Sequence, residues 1–249
     1  MALLSVNVNK IALLRNSRDA EAPSPVVFGR DALEAGAAGI TVHPRPDQRH
    51  VRPDDVHQLV ELLDEPAWLD REFNIEGNPL DAAGSWLELV EQARPDQATL
   101  VPDSTDQKTS DHGFTFDRPT LAALRPVVQR LRDAGCRVSV FVDPDPEQVA
   151  RAADCGADRV ELYTQPYAAA PPAERSDWLD RYAAAAESAR RAGLGVNAGH
   201  DLTLANLPAL IDRVRIDEVS IGHALTVDAL HMGWTAAVQA YIRAAEGSG

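Results

Sequence analysis

The chain has 249 residues, 45% apolar and 25% charged, a balance that excludes a disordered chain or a disulfide-stapled miniprotein. Thirty-eight acidic against twenty-four basic side chains leave a net charge of −14. That field repels nucleic acid and anionic membranes at long range, yet it leaves room for a small anion held in a local basic pocket.

From the N-terminus onward, short runs rich in Val, Ile and Leu alternate with longer, Ala-rich amphipathic stretches. This alternation predicts strands over Leu3–Asn9, Gly39–His43, Glu72–Glu76, Gln97–Pro102, Arg137–Asp143, Arg159–Thr164, Leu194–Gly199 and Glu218–His223. It predicts helices over Val26–Ala35, Asp54–Leu63, Leu80–Ala93, Pro119–Ala134, Pro146–Asp154, Pro172–Ala192, Leu204–Arg213 and Thr226–Ala245. At Ala35-Gly36, Ala134-Gly135, Cys155-Gly156 and Ala192-Gly193, a glycine stands where a helix needs a left-handed residue before the next strand. No linker interrupts the series. Alternating units of this kind over roughly 250 residues fit one α/β domain spanning residues 1–249, a closed parallel (β/α)8 TIM barrel. An open doubly wound sheet is disfavoured, because no Gly-x-Gly-x-x-Gly follows the first strand. Ala20–Pro25 and Ser104–Phe116 read as loops, the longer one a candidate lid.

Two cysteines, Cys136 and Cys155, build no disulfide framework or zinc ribbon. No apolar run reaches the roughly 18 residues that span a bilayer. The start MALLSVNVNK lacks the features of a secretory signal, so a cytoplasmic location with no membrane partner is expected.

A parallel barrel gathers the carboxyl ends of its strands around one mouth, where active sites lie. Here those ends deliver Asn7, Asn9 and Lys10; His43, Arg45, Arg49 and His50; Asn74 and Glu76; Asp103; Asp143; Glu161 and Thr164; Asn197, Gly199 and His200; and Gly222 and His223. His57 and His231 fall inside helical patterns and read as solvated or packed side chains. Polar groups concentrated in a barrel mouth cost stability unless they are paired or used. Glu76 and Glu161 have an alternative as salt-bridge partners of Arg45 or Arg159. Strict alternation puts Glu161 on the side of Tyr163 and opposite Leu162, without saying which side is inward.

Arg15 and Arg18 follow the first strand, and Arg45, Arg49, His50 and Arg52 follow the second. In so acidic a chain these two clusters suggest anion capture, the alternative being a solvated charged face. Gly199-His200 and Gly222-His223 suggest a second anion site, since loops after the last two strands commonly hold phosphate. His43, His200, His223 and Glu76 are a conceivable metal set, disfavoured by the lack of a His-x-His or His-Glu-x-x-His motif. A Schiff-base lysine has only Lys10 and Lys108 to draw on, and of these only Lys10 follows a strand.

The segments SVNVNKIALLRNSR (Ser5–Arg18), GITVHPRPDQRH (Gly39–His50), FNIEGNP (Phe73–Pro79), TLVPD (Thr99–Asp103), VSVFVDPD (Val138–Asp145), ADRVELYTQPYA (Ala157–Ala168), VNAGHDLT (Val196–Thr203) and SIGHAL (Ser220–Leu225) resemble the pyridoxine 5′-phosphate synthase family. The resemblance runs in order, strand by strand, from near the N-terminus to the last helix. It implies a TIM barrel with extra helices, assembled as a homo-octamer. It implies condensation of 3-amino-2-oxopropyl phosphate with 1-deoxy-D-xylulose 5-phosphate, giving pyridoxine 5′-phosphate, phosphate and water. It implies no metal and no organic cofactor. Another barrel enzyme acting on a phosphorylated metabolite, such as an aldolase, is the alternative.

By the same resemblance His43 is the first general base, Glu76 the second, Glu161 a further catalytic carboxylate and His200 the proton donor. Asn7, Arg18, Gly222 and His223 resemble the aminoketone phosphate site, and Arg45, His50 and Thr109 the sugar phosphate site. Asn9-Lys10 stands where many members have Asp-His against the sugar phosphate. Asp201 stands where many have Gly beside the substrate, and Asp19 also replaces a usual Gly.

Overall fold

All eight apolar runs form strands, and each pairs in parallel with the next. They are β1 (Leu3–Asn7), β2 (Gly39–Val42), β3 (Glu72–Gly77), β4 (Gln97–Leu100), β5 (Arg137–Val142), β6 (Arg159–Tyr163), β7 (Gly195–Gly199) and β8 (Glu218–Ile221). The register Leu3↔Glu218 to Val6↔Ile221 joins β8 to β1 and closes the barrel. The computed structural model describes residues 1–248 except Asp19, Ala82, Ala83, Gly84, Thr105 and Lys108. The Asp19 substitution, the Lys108 alternative and parts of the expected 80–93 helix and 104–116 lid therefore lie outside the described residues.

Among the described residues eleven α-helices surround the strands. They are α1 (Asn9–Arg15), α2 (Pro25–Glu34), α3 (Pro53–Leu63), α4 (Trp86–Ala93), α5 (Arg118–Asp133), α6 (Pro146–Ala152), α7 (Gln165–Ala169), α8 (Arg175–Arg191), α9 (Leu207–Arg213), α10 (His223–Met232) and α11 (Trp234–Ala245). Several begin at a side-chain cap followed by proline: Ser24 accepts from Val27 N–H, Asp117 from Thr120 N–H, and Asp145 from Glu147 and Gln148 N–H. The four expected glycine ends hold, with φ between 82° and 106°. At Gly36 the paired bonds Gly36 N–H to Leu33 O and Ala37 N–H to Ala32 O, both 3.0 Å, complete the helix end before β2.

Beyond later helix starts at Trp86, Arg175 and Leu207, three elements differ from expectation. β1 stops at Asn7 rather than Asn9, because the Asn7 side chain accepts from Asn9 N–H at 3.0 Å and turns the chain into α1. Asn9 and Lys10 are thus the first turn of a helix. The expected 226–245 helix is broken at Gly233 into α10 and α11, which pack on each other. A short helix, α7, forms between β6 and the start of α8.

The strand faces divide by chemistry. Outward side chains such as Val6, Ile40, Val42, Ile75, Leu100, Val140, Leu162 and Val219 are buried against the helices. The barrel interior is polar instead of the usual Val, Ile and Leu. Ser5, Thr41, Asn74 and Thr99 form one hydrogen-bonded chain, with contacts of 2.7, 3.3 and 3.0 Å. Gln97, Arg159, Asn197 and Glu218 form another below it. These groups satisfy one another, so a polar core is retained at low cost. They floor the cavity at the carboxyl ends of the strands.

Candidate active site

A cavity of about 330 Å³ opens at those carboxyl ends, lined from strand ends and loops throughout the barrel. His43 follows β2 and is buried. Its backbone N–H donates to the Asn9 side chain at 2.9 Å, so α1 braces the strand end. Its ring lies between two carboxylates, with Nδ1 3.5 Å from Glu76 Oε2 and Nε2 3.5 Å from Asp103 Oδ2.

Glu76 points inward from β3. The Trp86 indole donates to its backbone carbonyl at 2.8 Å, and Gly77 lets that ring lie flat on the strand end, where a Cβ would be 2.2 Å from Trp86 Nε1. Ser220 from β8 donates to Glu76 Oε1 at 3.4 Å. Glu161 enters from β6 on the same inward face as Tyr163. Burial pushes its carboxyl well above the ordinary carboxylate range, and the nearby charges of Glu76 and Glu218 push in the same direction. Glu161 thus holds its proton more tightly than an ordinary carboxyl, beside a second carboxylate, an arrangement suited to proton transfer.

His200 follows β7 in the left-handed region, φ 85°, as does Asp201 at φ 56°. Such a conformation is costly for residues with a Cβ and needs external support. Thr164 provides it, with its hydroxyl 2.7 Å from Gly199 O and in contact with His200 O, and its N–H donating to Gly199 O at 2.9 Å. Asn206 adds a bond to Asp201 O at 3.1 Å. The His200 ring packs edge to face with Tyr163 and at a tilt to Phe141, with centroids 5.3 and 5.6 Å away. Burial lowers its proton affinity, partly opposed by Glu76 and Asp201.

The loop after β2 carries the cations. Arg45 is buried, ion-paired with Asp103, and donates to Ser104 O at 3.2 Å and Gln107 O at 3.3 Å. Arg49 donates to Gln107 O at 2.9 Å and pairs with Asp47 at 2.6 Å. His50 is pushed down to about 3, first by burial and then by the electrostatic influence of His43, Arg45, Lys10 and Arg49. Its buried Nδ1 has no hydrogen-bond partner among the described residues. Unsatisfied polarity amid cations is what a bound anion would resolve. Across the mouth, the N-terminus of α10 presents Gly222, His223 and Ala224 to the cavity.

The structure brings most of the sequence-derived candidates together. His43, Glu76, Glu161 and His200 share the cavity wall with Asn7, Asn9, Lys10, Arg45, His50, Thr109, Asp201, Gly222 and His223. Arg18 is exposed beyond the end of α1 and does not line the cavity. The reading of Arg15 and Arg52 as anion-capturing is corrected. Arg15 is buried in a two-bond ion pair with Asp55, and Arg52 donates to Asn16 at 2.8 Å. Both prop the 48–52 loop from behind, helped by Asn16, which donates to His50 O at 2.7 Å. The salt-bridge alternative for Glu76 and Glu161 fails, because Arg45 pairs with Asp103 and Arg159 with Glu218. Among the described residues no group of three or more His, Cys, Asp or Glu is arranged to hold a metal, so the conceivable His43–His200–His223–Glu76 set does not assemble as one. Sequence reasoning placed Asp103 at a strand end without giving it a role. It also missed Ser110, Phe141 and Ser220, which lie with the strand ends in the lining or its support.

The family model for pyridoxal phosphate biosynthesis protein PdxJ matches residues 4–247. The chain belongs to the PdxJ family. Pyridoxine 5′-phosphate synthase from Brucella anthropi is 53% identical over 246 residues, 98% of each chain. The enzyme of that name from Albidiferax ferrireducens is 53% identical over 244 residues, 96% of each chain. Among solved structures, 3-hexulose-6-phosphate synthase superposes with a TM-score of 0.63 over 97% of this chain and 99% of its own, at 14% identity. That likeness concerns the barrel alone. Membership in the PdxJ family accounts for the ordered strand-end motifs that the sequence already showed.

Proposed function

We infer that this chain is a pyridoxine 5′-phosphate synthase, a ring-forming enzyme that condenses 3-amino-2-oxopropyl phosphate with 1-deoxy-D-xylulose 5-phosphate and releases pyridoxine 5′-phosphate, phosphate and water. The observation that carries the reading is 53% identity over nearly the whole length to enzymes of that name. A cavity in which two imidazoles and two carboxylates meet beside cationic walls supports it.

The chemistry asks for repeated proton transfer. The aminoketone nitrogen attacks the sugar phosphate ketone, water leaves as an imine forms, and protons then move between carbon and oxygen as phosphate departs and the ring closes. His43 takes the first proton, and Glu76, 3.5 Å from its ring, serves as the second base. Glu161, its proton affinity raised by burial, supplies a proton to a leaving oxygen. His200 donates once the phosphate charge of a bound substrate raises its proton affinity against the effect of burial. Arg45 and His50 receive the sugar phosphate, and the α10 N-terminus with Asn7 receives the aminoketone phosphate. Lys10 and Asp201 adjust charge beside the reactants. The reaction belongs to the transferase class and needs no added metal or organic cofactor.

A homo-octamer and a cytoplasmic location complete the proposal. Exposed Leu13 and Leu14 on α1 and Val227, Leu230 and Met232 on α10, two helices in contact, support burial of this face between copies. Among the described residues no helix is long and apolar enough to cross a membrane. Mixing the purified chain with both substrates and following the pyridine chromophore tests the function. Appearance of product with matched phosphate release is expected. A reducible adduct at Lys10 without pyridine formation would favour the aldolase alternative.

A further inference from the structure

One carboxylate lies behind the cavity wall, against His43 and Arg45, with no part in the chemistry above. Asp103, just beyond β4, is 4% exposed. A single oxygen, Oδ2, receives the Arg45 guanidinium and the Ser110 hydroxyl at 3.1 Å, and lies 3.5 Å from His43 Nε2. Its backbone carbonyl accepts from Asn78 at 2.8 Å, which fixes it against the β3 end. The guanidinium and the hydroxyl together fix the position of that oxygen.

Glu76, on the other side of the imidazole, is placed differently. Its side chain is 12% exposed against 3% for Asp103, receives one long bond from Ser220, and shares the cavity with Glu161. The Glu76 carboxylate is therefore held by fewer donors, whereas Asp103 is tied down by a guanidinium and a hydroxyl. A neutral imidazole carries one N–H, and the fixed acceptor decides which nitrogen holds it.

We propose that Asp103 is the positioning residue of this site: it holds the His43 proton on Nε2, so that Nδ1 is the basic atom facing Glu76 and the reactants, and it locks Arg45 and the Ser110 loop into the same unit. The proposal deepens the function inferred above and rests on it for its kinetic part. The arrangement also ties anion capture to the base. Arg45 divides its donors between Asp103 and the loop carbonyls of Ser104 and Gln107. An anion that draws on the Arg45 charge leaves more of Asp103 to His43, so sugar phosphate binding strengthens the hold on the ring.

Two measurements test this. The first uses the wild-type protein with ¹⁵N-labelled histidine, the His43 signal being assigned by its loss in His43→Asn. The Nε2-protonated tautomer is expected, and protonation on Nδ1 would overturn the proposal. The second uses Asp103→Asn. A fall in kcat of about 10–100-fold is expected, the scale of a mispositioned acid–base group. KM for the sugar phosphate and Kd for inorganic phosphate should stay within about threefold or tighten, because Arg45 loses a competing carboxylate. Asp103→Glu should recover part of kcat, and Asp103→Ala should not. If Asp103 merely props Arg45, KM and Kd rise while kcat is kept, and the positioning role is lost. Tautomer and phosphate affinity do not depend on turnover. They decide the inference even if wild-type enzyme makes no pyridine product, an outcome that would count against the proposed function alone.

Discussion

Gly199 of β7 and Glu161 of β6 face each other so closely that a Cβ on Gly199 would lie 2.2 Å from Glu161 Oε1. The absence of a side chain at 199 is what admits a carboxylate to this point of the barrel mouth. Gly199→Ala forces the carboxylate aside or the strands apart. Overpacking of this kind costs about 1–3 kcal/mol, and a displaced Glu161 should lower kcat by about tenfold or more. Thermal unfolding and steady-state kinetics on the variant check both. Unchanged kcat would mean that the position of Glu161 does not matter to the chemistry.

Glu161 itself is kept at a cost in stability. Its raised proton affinity means that the folded state holds a proton that the unfolded chain has released over a window beginning at the ordinary carboxylate range and running upward. Stability associated with this group is full below that window and is lost as pH rises through it. Glu161→Gln removes the dependence. The variant should therefore unfold at a higher temperature than wild type at pH 8, with the gap closing toward pH 4. Its turnover should fall by about 10²–10⁴-fold. Unfolding midpoints across pH, read beside kcat, check this opposition of stability and activity.

The strands were readable because each carries a buried β-branched core, and the four helix-ending glycines marked the joins. The inward direction of Glu161 was not readable, since alternation gives two faces without naming the inner one. Barrel closure settled it by placing Tyr163, Gly199 and Phe141 around the same mouth. α1 escaped notice because the alternation of Ser5–Asn9 continues past the point where the Asn7 side chain turns the backbone. The cationic clusters misled for a different reason. Charge density in sequence does not reveal that Arg15 is consumed by Asp55, forty positions away, or that Arg45, which does line the cavity, shares its charge with Asp103, fifty-eight away. Site residues were thus legible by chemical type and strand position, and their partners were not.

His43→Asn and Glu76→Gln address the two proposed bases. The ring and the carboxylate are 3.5 Å apart and both face the cavity, so each removal interrupts the same proton path. Each should lower kcat by about 10²–10⁴-fold with KM nearly kept, and the double variant should cost little more than the worse single one. Additive losses in a double-mutant cycle would show that the two act on separate steps.

Thr164 holds the end of β7 against the strain of His200 and Asp201. Thr164→Val keeps the shape and the backbone bond to Gly199 while removing the hydroxyl. Leaving a buried carbonyl short of a donor costs about 1–2 kcal/mol, or a few degrees of Tm in a chain of this size. The larger expected effect is on His200, whose ring position depends on the left-handed turn. A fall in kcat of about tenfold with phosphate affinity unchanged is expected. Stability loss with full turnover would separate the clamp from the chemistry.

His50 offers a pH test of the anion site. It is held neutral down to about pH 3 by burial and by the surrounding cations. A phosphate dianion beside Arg45 and Arg49 offsets those cations, so its arrival raises the proton affinity of the His50 ring toward the ordinary range. The bound form then holds a proton that the free form lacks, and by linkage affinity must rise as pH falls from about 7 to about 5 over the range in which phosphate charge permits. Calorimetry of inorganic phosphate binding in two buffers of different ionisation enthalpy measures the proton taken up. His50→Asn should abolish that part of the uptake and weaken binding at pH 6 more than at pH 8. Identical uptake in the variant would assign the proton to another group in the mouth.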